Sequence, residues 1–567
     1  MAMRLDRLAL GVGVLCGFGN GSAGSRWTRW LSCLTTAAVA LSGATLEAAD
    51  RLTSRFDLGL DELREKVLTR NESVLIKALE AEIGRKNYQA ERGVFEPAVV
   101  GSVERIDTQR PNNLQQQANL GLYAREELLE RNTLYDGGLE FLLPSGGKLR
   151  TGYTLRQLKN NIQTTIDVEY ETFVGARILQ PLLKNFGPSS VMARIRLAAM
   201  ASEVAYQEYR RQLMLTIGQA ESGYWDLHLT QEQERLSRES LATAEKILTD
   251  NQTRVSVGKA AEIEVLQAQA GAAFRRTRLN EAHQRVYETG TRLGSLFSYV
   301  AASTNALPRA VDHPALTEDP LGFAESYEQA FAMNPDFLIR RTQVEQENLR
   351  VKYTKNQRLP ELDLKASYGL NGLGGSPGSS WDDIENGSHA AWTLGFEFRV
   401  PLAGGIKEKA DYDAARVAKQ KALLGLKEAE VQVLNSIDAA QQKVRLYREN
   451  VGSYQSVADY HQRLLEAQME RLAVGALDSK TVLETEEKLF ESRVAVVESL
   501  VLCRKATLEL ELVRGTLLQD RDLEVTRAEL KRRTQEYVSH FDLPSGAFEA
   551  FQRRAVNDVE KALAPAP

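Results

Sequence analysis

The sequence predicts a mainly α-helical chain with a β section, built from two internal repeats. Three observations predict it. First, Arg254-Val255-Ser256-Val257-Gly258 is followed by an apolar ladder at Val265, Ala272, Leu279, Val286 and Leu293. Arg471-Leu472-Ala473-Val474-Gly475 is followed by Val482, Leu489, Val496, Cys503 and Leu510. The two turns lie 217 residues apart (474 − 257), and each ladder starts seven residues after its glycine. A seven-residue apolar period marks helices that supercoil against neighbours, and its recurrence marks a tandem unit. Second, segments of about ten residues between the helical stretches alternate apolar and polar, the period of a strand. Third, the order helix, strands, long helix, turn, long helix occurs twice.

The elements follow in chain order. Residues 1–49 read as a leader: Arg26 and Arg29 precede an apolar, small-residue run over 30–44, with Ala38-Val39-Ala40 or Ser42-Gly43-Ala44 as cleavage site. Export is expected. Repeat 1 covers 50–305, with a helix over 58–92 containing Asn71-Glu72-Ser73, strands within 95–178, and a long helical hairpin over 188–300 whose tip is 254–264. Repeat 2 covers 306–519, with a helix over 323–358 containing Asn334-Pro335-Asp336, strands within 361–400, and a hairpin over 406–519 with its tip at 471–481. Residues 520–567 read as a charged, soluble C-terminal extension of uncertain order.

The strands are clearest in repeat 2. Leu362, Leu364, Ala366, Tyr368 and Leu370 alternate with Glu361, Asp363, Lys365, Ser367 and Gly369. Trp392, Leu394, Phe396, Phe398 and Val400 alternate with Thr393, Gly395, Glu397 and Arg399. Each run has the length that crosses a bilayer at a barrel's tilt. The stretch 371–389 between them, rich in Gly, Ser and Asp, reads as an exposed loop. In repeat 1 the return strand is 166–178, and 139–143 with 148–158 form a hairpin about Pro144-Ser145-Gly146-Gly147. Sequence alone leaves open whether that hairpin joins the sheet or decorates its rim.

The outgoing helix of repeat 1 keeps the seven-residue step at Leu213, Ala220, Leu227, Leu241, Leu248 and Val255, with Glu234 interrupting it. A 64-residue helix over 188–251 would be about 95 Å long. Its packing positions are rich in small and polar residues, which suits a wide tube with a wet inner face. Cys503, on a ladder, reads as a small buried apolar residue rather than a reactive thiol.

Bulk composition narrows the function. Net charge is −5 from 71 basic and 76 acidic residues, which gives no electrostatic reason to expect nucleic acid as a partner. The six histidines, His228, His283, His313, His389, His461 and His540, are too far apart for metal-ligand spacing. The glycine-rich 372–378 lacks the Lys-Ser/Thr that would hold phosphate, and no Gly-x-Ser-x-Gly elbow occurs. No catalytic residue, metal or cofactor is expected.

The ordered set of Val257-Gly258 with Ala261 to Gln269, Val474-Gly475 with Thr481 to Glu484, Asn334-Pro335, Arg358-Leu359-Pro360 and Val400-Pro401-Leu402 resembles the outer-membrane efflux protein (TolC-like) family over roughly 58–519. The resemblance implies a homotrimer, in which an outer-membrane β-barrel continues into a long periplasmic α-helical barrel. It implies a passive outer-membrane channel in a tripartite efflux or type I secretion system. The implied partners are outer-membrane lipid, a periplasmic membrane-fusion adaptor and an inner-membrane pump of RND, ABC or MFS type. Physics agrees that a lone open sheet in lipid would leave unsatisfied edges. Three chains of four strands give twelve; if the 139–158 hairpin is in the wall, the count is eighteen.

By position, the resemblance makes Val257, Gly258, Val474 and Gly475 adaptor-contact candidates at the tip. It places an acidic constriction just past the second turn, where relatives carry two aspartates three residues apart. Here those positions are Thr481 and Glu484, with Asp478 and Glu264 as possible sources of the missing charge. A ring of carboxylates would favour cations; acids at helix N-termini would instead complement the helix dipole. For Glu484 the two readings stand level, and for Glu262, Glu264 and Asp478 the dipole reading is preferred. A soluble periplasmic coiled-coil scaffold or adaptor is the alternative function, since a half-buried sheet in water alternates in the same way.

Overall fold

A computed structural model describes residues 54–111, 127–161, 167–258, 261–299, 306–316, 321–474 and 476–541. The expected leader and Gly475 lie outside these. Repeat 1 comprises β1 (Ser54–Leu58), α1 (Leu60–Arg70), α2 (Glu72–Arg92), β2 (Ala98–Pro111), β3 (Glu127–Leu142), β4 (Lys148–Leu158), β5 (Glu169–Pro181), the single turn α3 (Pro188–Val191), α4 (Ala193–Ser256) and α5 (Glu262–Ser295). Repeat 2 comprises β6 (Ala306–Ala310), α6 (Phe323–Met333), α7 (Pro335–Gln357), β7 (Glu361–Gly374), α8 (Pro377–Glu385), β8 (Ala390–Arg399), α9 (Ile406–Ala473) and α10 (Ser479–Arg514). The short α11 (Leu517–Asp520) and α12 (Arg527–Phe541) follow.

Each expected first helix is broken by an asparagine, and the breaks are chemically the same. Asn71 leaves helical geometry, its side chain accepts from Val74 N at 3.2 Å, and its Nδ2 donates to Leu296 O at 2.9 Å. Asn334 accepts from Phe337 N at 3.1 Å and donates to Val513 O at 2.8 Å. Each therefore caps the helix that follows it and supplies a donor to a carbonyl at the end of the returning long helix, where intrahelical partners run out.

Six strands form one antiparallel sheet in the order β2-β3-β4-β5-β7-β8. The 139–158 hairpin thus lies within the sheet, and its first strand starts well before residue 139. Register assigns the faces. Val99 pairs with Leu139, Leu139 with Thr151, Thr151 with Ala176, Ala176 with Tyr368, and Tyr368 with Trp392. Successive side chains alternate, so that face also carries Val103, Tyr135, Tyr153, Leu155, Val174, Leu394, Phe396 and Phe398. Trp392 is 72% exposed and Phe396 67%. The opposite face is polar: Asp136 pairs with Arg150, Arg156 with Glu171 at 3.6 Å, and Lys365 with Glu397.

The expected loop 371–389 differs from expectation: β7 continues to Gly374, and α8 forms beyond it. Ser376 caps α8 in a reciprocal capping box with Ser379, with proline in its first turn. A Cβ on Gly372 would fall 1.9 Å from Ser380 O, so only glycine lets α8 lie this close to the strand. Thr172 and Ser380 meet beneath it through their hydroxyls. The composition of 371–389 signals turns but hides this nine-residue helix.

The helices pack as an arc. α4 touches α2, α5, α7 and α10, whereas α9 touches α7 and α10, so that near the sheet the order runs α2, α4, α7, α9. The main core collects Leu58, Leu63, Val67, Tyr209, Leu213, Ile217, Tyr224, Leu227, Leu293 and Leu517. The parallel pair β1–β6 closes on it. Tyr224 OH donates within a site formed by Leu58 O (3.0 Å) and Asp312 Oδ2 (2.8 Å), and accepts from Val311 N and Asp312 N. Burial pushes this phenol up to about 12. Val525 and Leu530 also join the core, so the segment that sequence left of uncertain order packs onto the fold through α12. Residues 542–567 lie outside the described residues.

Candidate functional site

The two long hairpins turn side by side at the end remote from the sheet. α4 ends at Ser256, and Gly258 takes φ +72°, a region that glycine enters without a Cβ penalty. α9 ends at Ala473, with Val474 as its cap. Val257 and Val474 are 62% and 80% exposed, unusual for valine and so open to contact. Arg254 Nη1 donates to Leu472 O at 3.1 Å and ties the turns together. Deeper in, fully buried Asn251 donates to Ser479 Oγ at 2.7 Å and to Glu264 O at 3.2 Å. Ser479 Oγ donates to Glu264 Oε2 at 3.3 Å.

The four constriction candidates are therefore not one cluster within a single chain. Glu264 belongs to the Asn251–Ser479 junction. Asp478, which precedes α10, accepts from Thr481 Oγ1 at 2.5 Å. Glu484 stands on an exposed face, 3.8 Å from Lys480 Nζ one helical turn away. Glu262 and Glu264 lie in the first turn of α5, where acids are stabilised by the helix dipole.

One group of residues near the tip went unrecognised in the sequence. Arg275 on α5 is buried and donates from Nε to Glu486 Oε2 at 2.7 Å and to Ser240 Oγ at 3.0 Å. Its Nη2 also reaches Leu483 O at 3.0 Å. One turn on, Arg278 lies over the Phe274 and Phe490 rings (4.9 and 4.5 Å) and pairs with Glu487. The two residues lie off the apolar ladders and 211 positions apart, so no local pattern joins them in the sequence.

Glu234, the residue that interrupts the α4 ladder, is buried and receives Arg55 Nη2 at 2.9 Å and Arg238 Nη2 at 2.6 Å. Below it the buried line moves to Ser237, Ser240, Ala244, Ile247 and Asn251, while Leu241 and Leu248 turn half out. The three-residue step from 234 to 237 is a stammer in the heptad pattern, which overwinds a supercoil locally.

No helix among the described residues is long and apolar enough to cross a membrane. Separately, Trp392, Leu394, Phe396 and Phe398 leave one face of the sheet apolar and exposed.

Comparison with known proteins agrees with this architecture. Residues 326–516 match the family model described as outer membrane efflux protein. The chain is 25% identical over 301 residues to the pyoverdine export outer membrane protein OpmQ of Pseudomonas aeruginosa, covering 51% of this chain and 60% of that protein. It is 23% identical over 334 residues to the outer membrane efflux protein BepC of Brucella suis, covering 58% of this chain and 68% of that one. The match thus spans less than two thirds of the pyoverdine exporter. The fold is similar to the Campylobacter jejuni CmeC outer membrane channel, with TM-score 0.58 and 15% identity over 84% of this chain and 89% of that chain. The fold is TolC-like, and its second half, residues 326–516, is similar to the outer membrane efflux protein family.

Proposed function

We propose that the chain is one subunit of a trimeric outer-membrane channel, a passive conduit that takes cargo from a periplasmic adaptor and an inner-membrane pump to the exterior. The observation that carries the reading is the exposed apolar band on one face of the six-stranded sheet. In water that face would be an aggregation surface; in lipid it is the outside of a barrel. A soluble scaffold would have no use for Trp392, Leu394, Phe396 and Phe398 all more than half exposed on one strand.

Closure by copies is supported by two edges that match in order. β2 and β8 are the ends of the sheet, and each runs directly into α2 or out to α9, the ends of the helical arc near it. Both end helices carry exposed apolar residues at seven-residue spacing, Ile76 and Ile83 on α2, and Val417, Leu424 and Val431 on α9. Different patches on opposite edges are what a closed head-to-tail ring requires. Three copies of six strands make an eighteen-stranded wall.

Val257, Gly258, Val474 and Gly475 form the adaptor-facing tip in this reading, and Glu484 with Thr481, Asp478 and Glu264 lies at the periplasmic entrance. Energy comes from the pump, and the chain acts as a conduit rather than an enzyme. Reconstitution in planar lipid tests the channel directly: stepwise conductance is expected, with Glu484→Ala lowering cation preference about two- to threefold if that carboxylate borders the pore. Absence of any conductance from membrane-inserted trimers contradicts the channel; unchanged selectivity removes Glu484 from the constriction.

A further inference from the structure

We infer that the β3–β4 hairpin is an insertion into the barrel wall that widens the lumen. The inference rests on the channel reading above and deepens it.

The two repeats show which part was added. Repeat 2 contributes two strands to the sheet, β7 and β8, while repeat 1 contributes four. The outer two of those four, β2 and β5, receive the chain from α2 and deliver it to α4, as β7 and β8 do between α7 and α9. The hairpin between them has no counterpart. Removing two adjacent antiparallel strands leaves β2 antiparallel to β5, with Val99 opposite Ala176 and both on the apolar face. The insertion is therefore neutral to sheet direction and to facing.

The hairpin also obeys the two-sided rule of the rest of the wall. Tyr135, Leu139, Leu149, Tyr153 and Leu155 fall on the apolar face. Asp136, Glu140, Arg150 and Arg156 fall on the polar one, where Arg150 bridges Asp136 and, at 3.5 Å, Glu140. A rim decoration would have no reason to carry a lipid-type face in register with its neighbours.

Barrel circumference grows with strand number. At about 4.8 Å between strands and a tilt of about 40°, eighteen strands enclose about 36 Å from backbone to backbone and twelve about 24 Å. Inward side chains take about 5 Å from each wall, leaving bores of about 26 and 14 Å. The charged lining keeps that bore wet. A hydrophilic probe about 20 Å across would pass the wider bore and be excluded by the narrower one.

Detergent-purified trimers bearing Ser367→Cys on the polar face test this. Cys503 is buried and does not compete. A small maleimide and a maleimide polymer of about 20 Å hydrated diameter should label position 367 to similar extent in the full chain. In a variant lacking 127–158, the small reagent should still label while the polymer slows by about tenfold or more. Equal access of the polymer in both, or its exclusion from the full chain, overturns the inference. If the deletion variant does not assemble, the full chain alone decides through polymer access, together with Leu139→Cys, on the exposed apolar face, which should be reached by a lipid-soluble quencher and not by the water-soluble polymer. Labelling of Leu139→Cys by the polymer overturns the hairpin's place in the wall. Failure of the protein to insert into membranes instead contradicts the channel reading itself, a distinguishable result.

Discussion

The two repeats use the same joints but differ in how much of each they cover. Asn71 and Asn334 make the same cap and the same tie to a returning helix, and each hairpin reverses after a valine. Yet α4 has twenty-three buried residues along 64, and α9 has nine along 68. Near-equal helices with such unequal burial cannot both be finished by one chain. α4 is the centre of the arc, surrounded by its own chain; α9 is an edge, with Val417, Leu424 and Val431 left uncovered. The duplication therefore supplies repeated local chemistry, and position in the arc decides whether the same kind of helix becomes core or interface.

The largest expected effect concerns the junction between repeats. Arg275 lies on repeat 1 and Glu486 on repeat 2, so Arg275→Met leaves a buried carboxylate without its partner. A loss of about 3–5 kcal/mol is expected in denaturant unfolding, largely recovered by the paired change Arg275→Met with Glu486→Leu. A loss under about 1 kcal/mol would mean that the repeats do not depend on this pair.

The contrast in burial predicts a second effect. Leu424→Glu, on the uncovered stripe of α9, should weaken subunit association by about 2–3 kcal/mol, seen as dissociation of detergent-solubilised particles on dilution. The helix content of the separated subunit should be unchanged. The same substitution at Leu227, within the core of α4, should prevent folding. If Leu424→Glu leaves association intact, the stripe is not an interface and the comparison fails.

The equivalence of the joints is tested by Asn71→Ala and Asn334→Ala. Each removes one cap and one tie, and each should cost about 1–2 kcal/mol in thermal or denaturant unfolding. A pronounced inequality would show that the two joints are alike in geometry only.

Much of this arrangement was legible in the sequence because it rests on local periodicity. Seven-residue ladders became buried seams at Ala272, Val286, Leu293, Val482, Leu489, Cys503 and Leu510. Strict alternation over 361–370 and 391–400 gave β7 and β8 to within a few residues. What stayed hidden depends on partners distant in the chain. β1 and β6 are five residues each, without alternation, and exist because they pair across 252 positions (306 − 54). α8 is short, capped by Ser376, and held by a close approach to Gly372 that composition cannot reveal. β3 begins before any clear alternation and is extended by β2. The Arg275–Glu486 pair looked like two of many surface charges, because pairing across 211 residues leaves no local trace.

The smallest expected effect is a pH dependence in the repeat 1 core. Burial of His228 lowers its pKa below the usual 6.5, with Glu232 opposing and His313 adding to the shift. The neutral ring is favoured in the folded state, so its contribution is intact above the unfolded pKa and is lost as pH falls through the folded one. Thermal unfolding of the wild type should weaken on the acid side below about pH 6.5, and His228→Gln should flatten that slope modestly. An identical slope in both would assign the acid loss to other groups.

One chain is an arc whose apolar sheet face and open edges call for lipid and for further copies. The decisive experiment is alkaline washing of membranes, followed by detergent extraction and mass measurement of the intact particle. The protein should stay with the membrane through the wash and be released by detergent as three copies. Recovery of a stable single copy in plain buffer, with no partition into micelles, would contradict that arrangement.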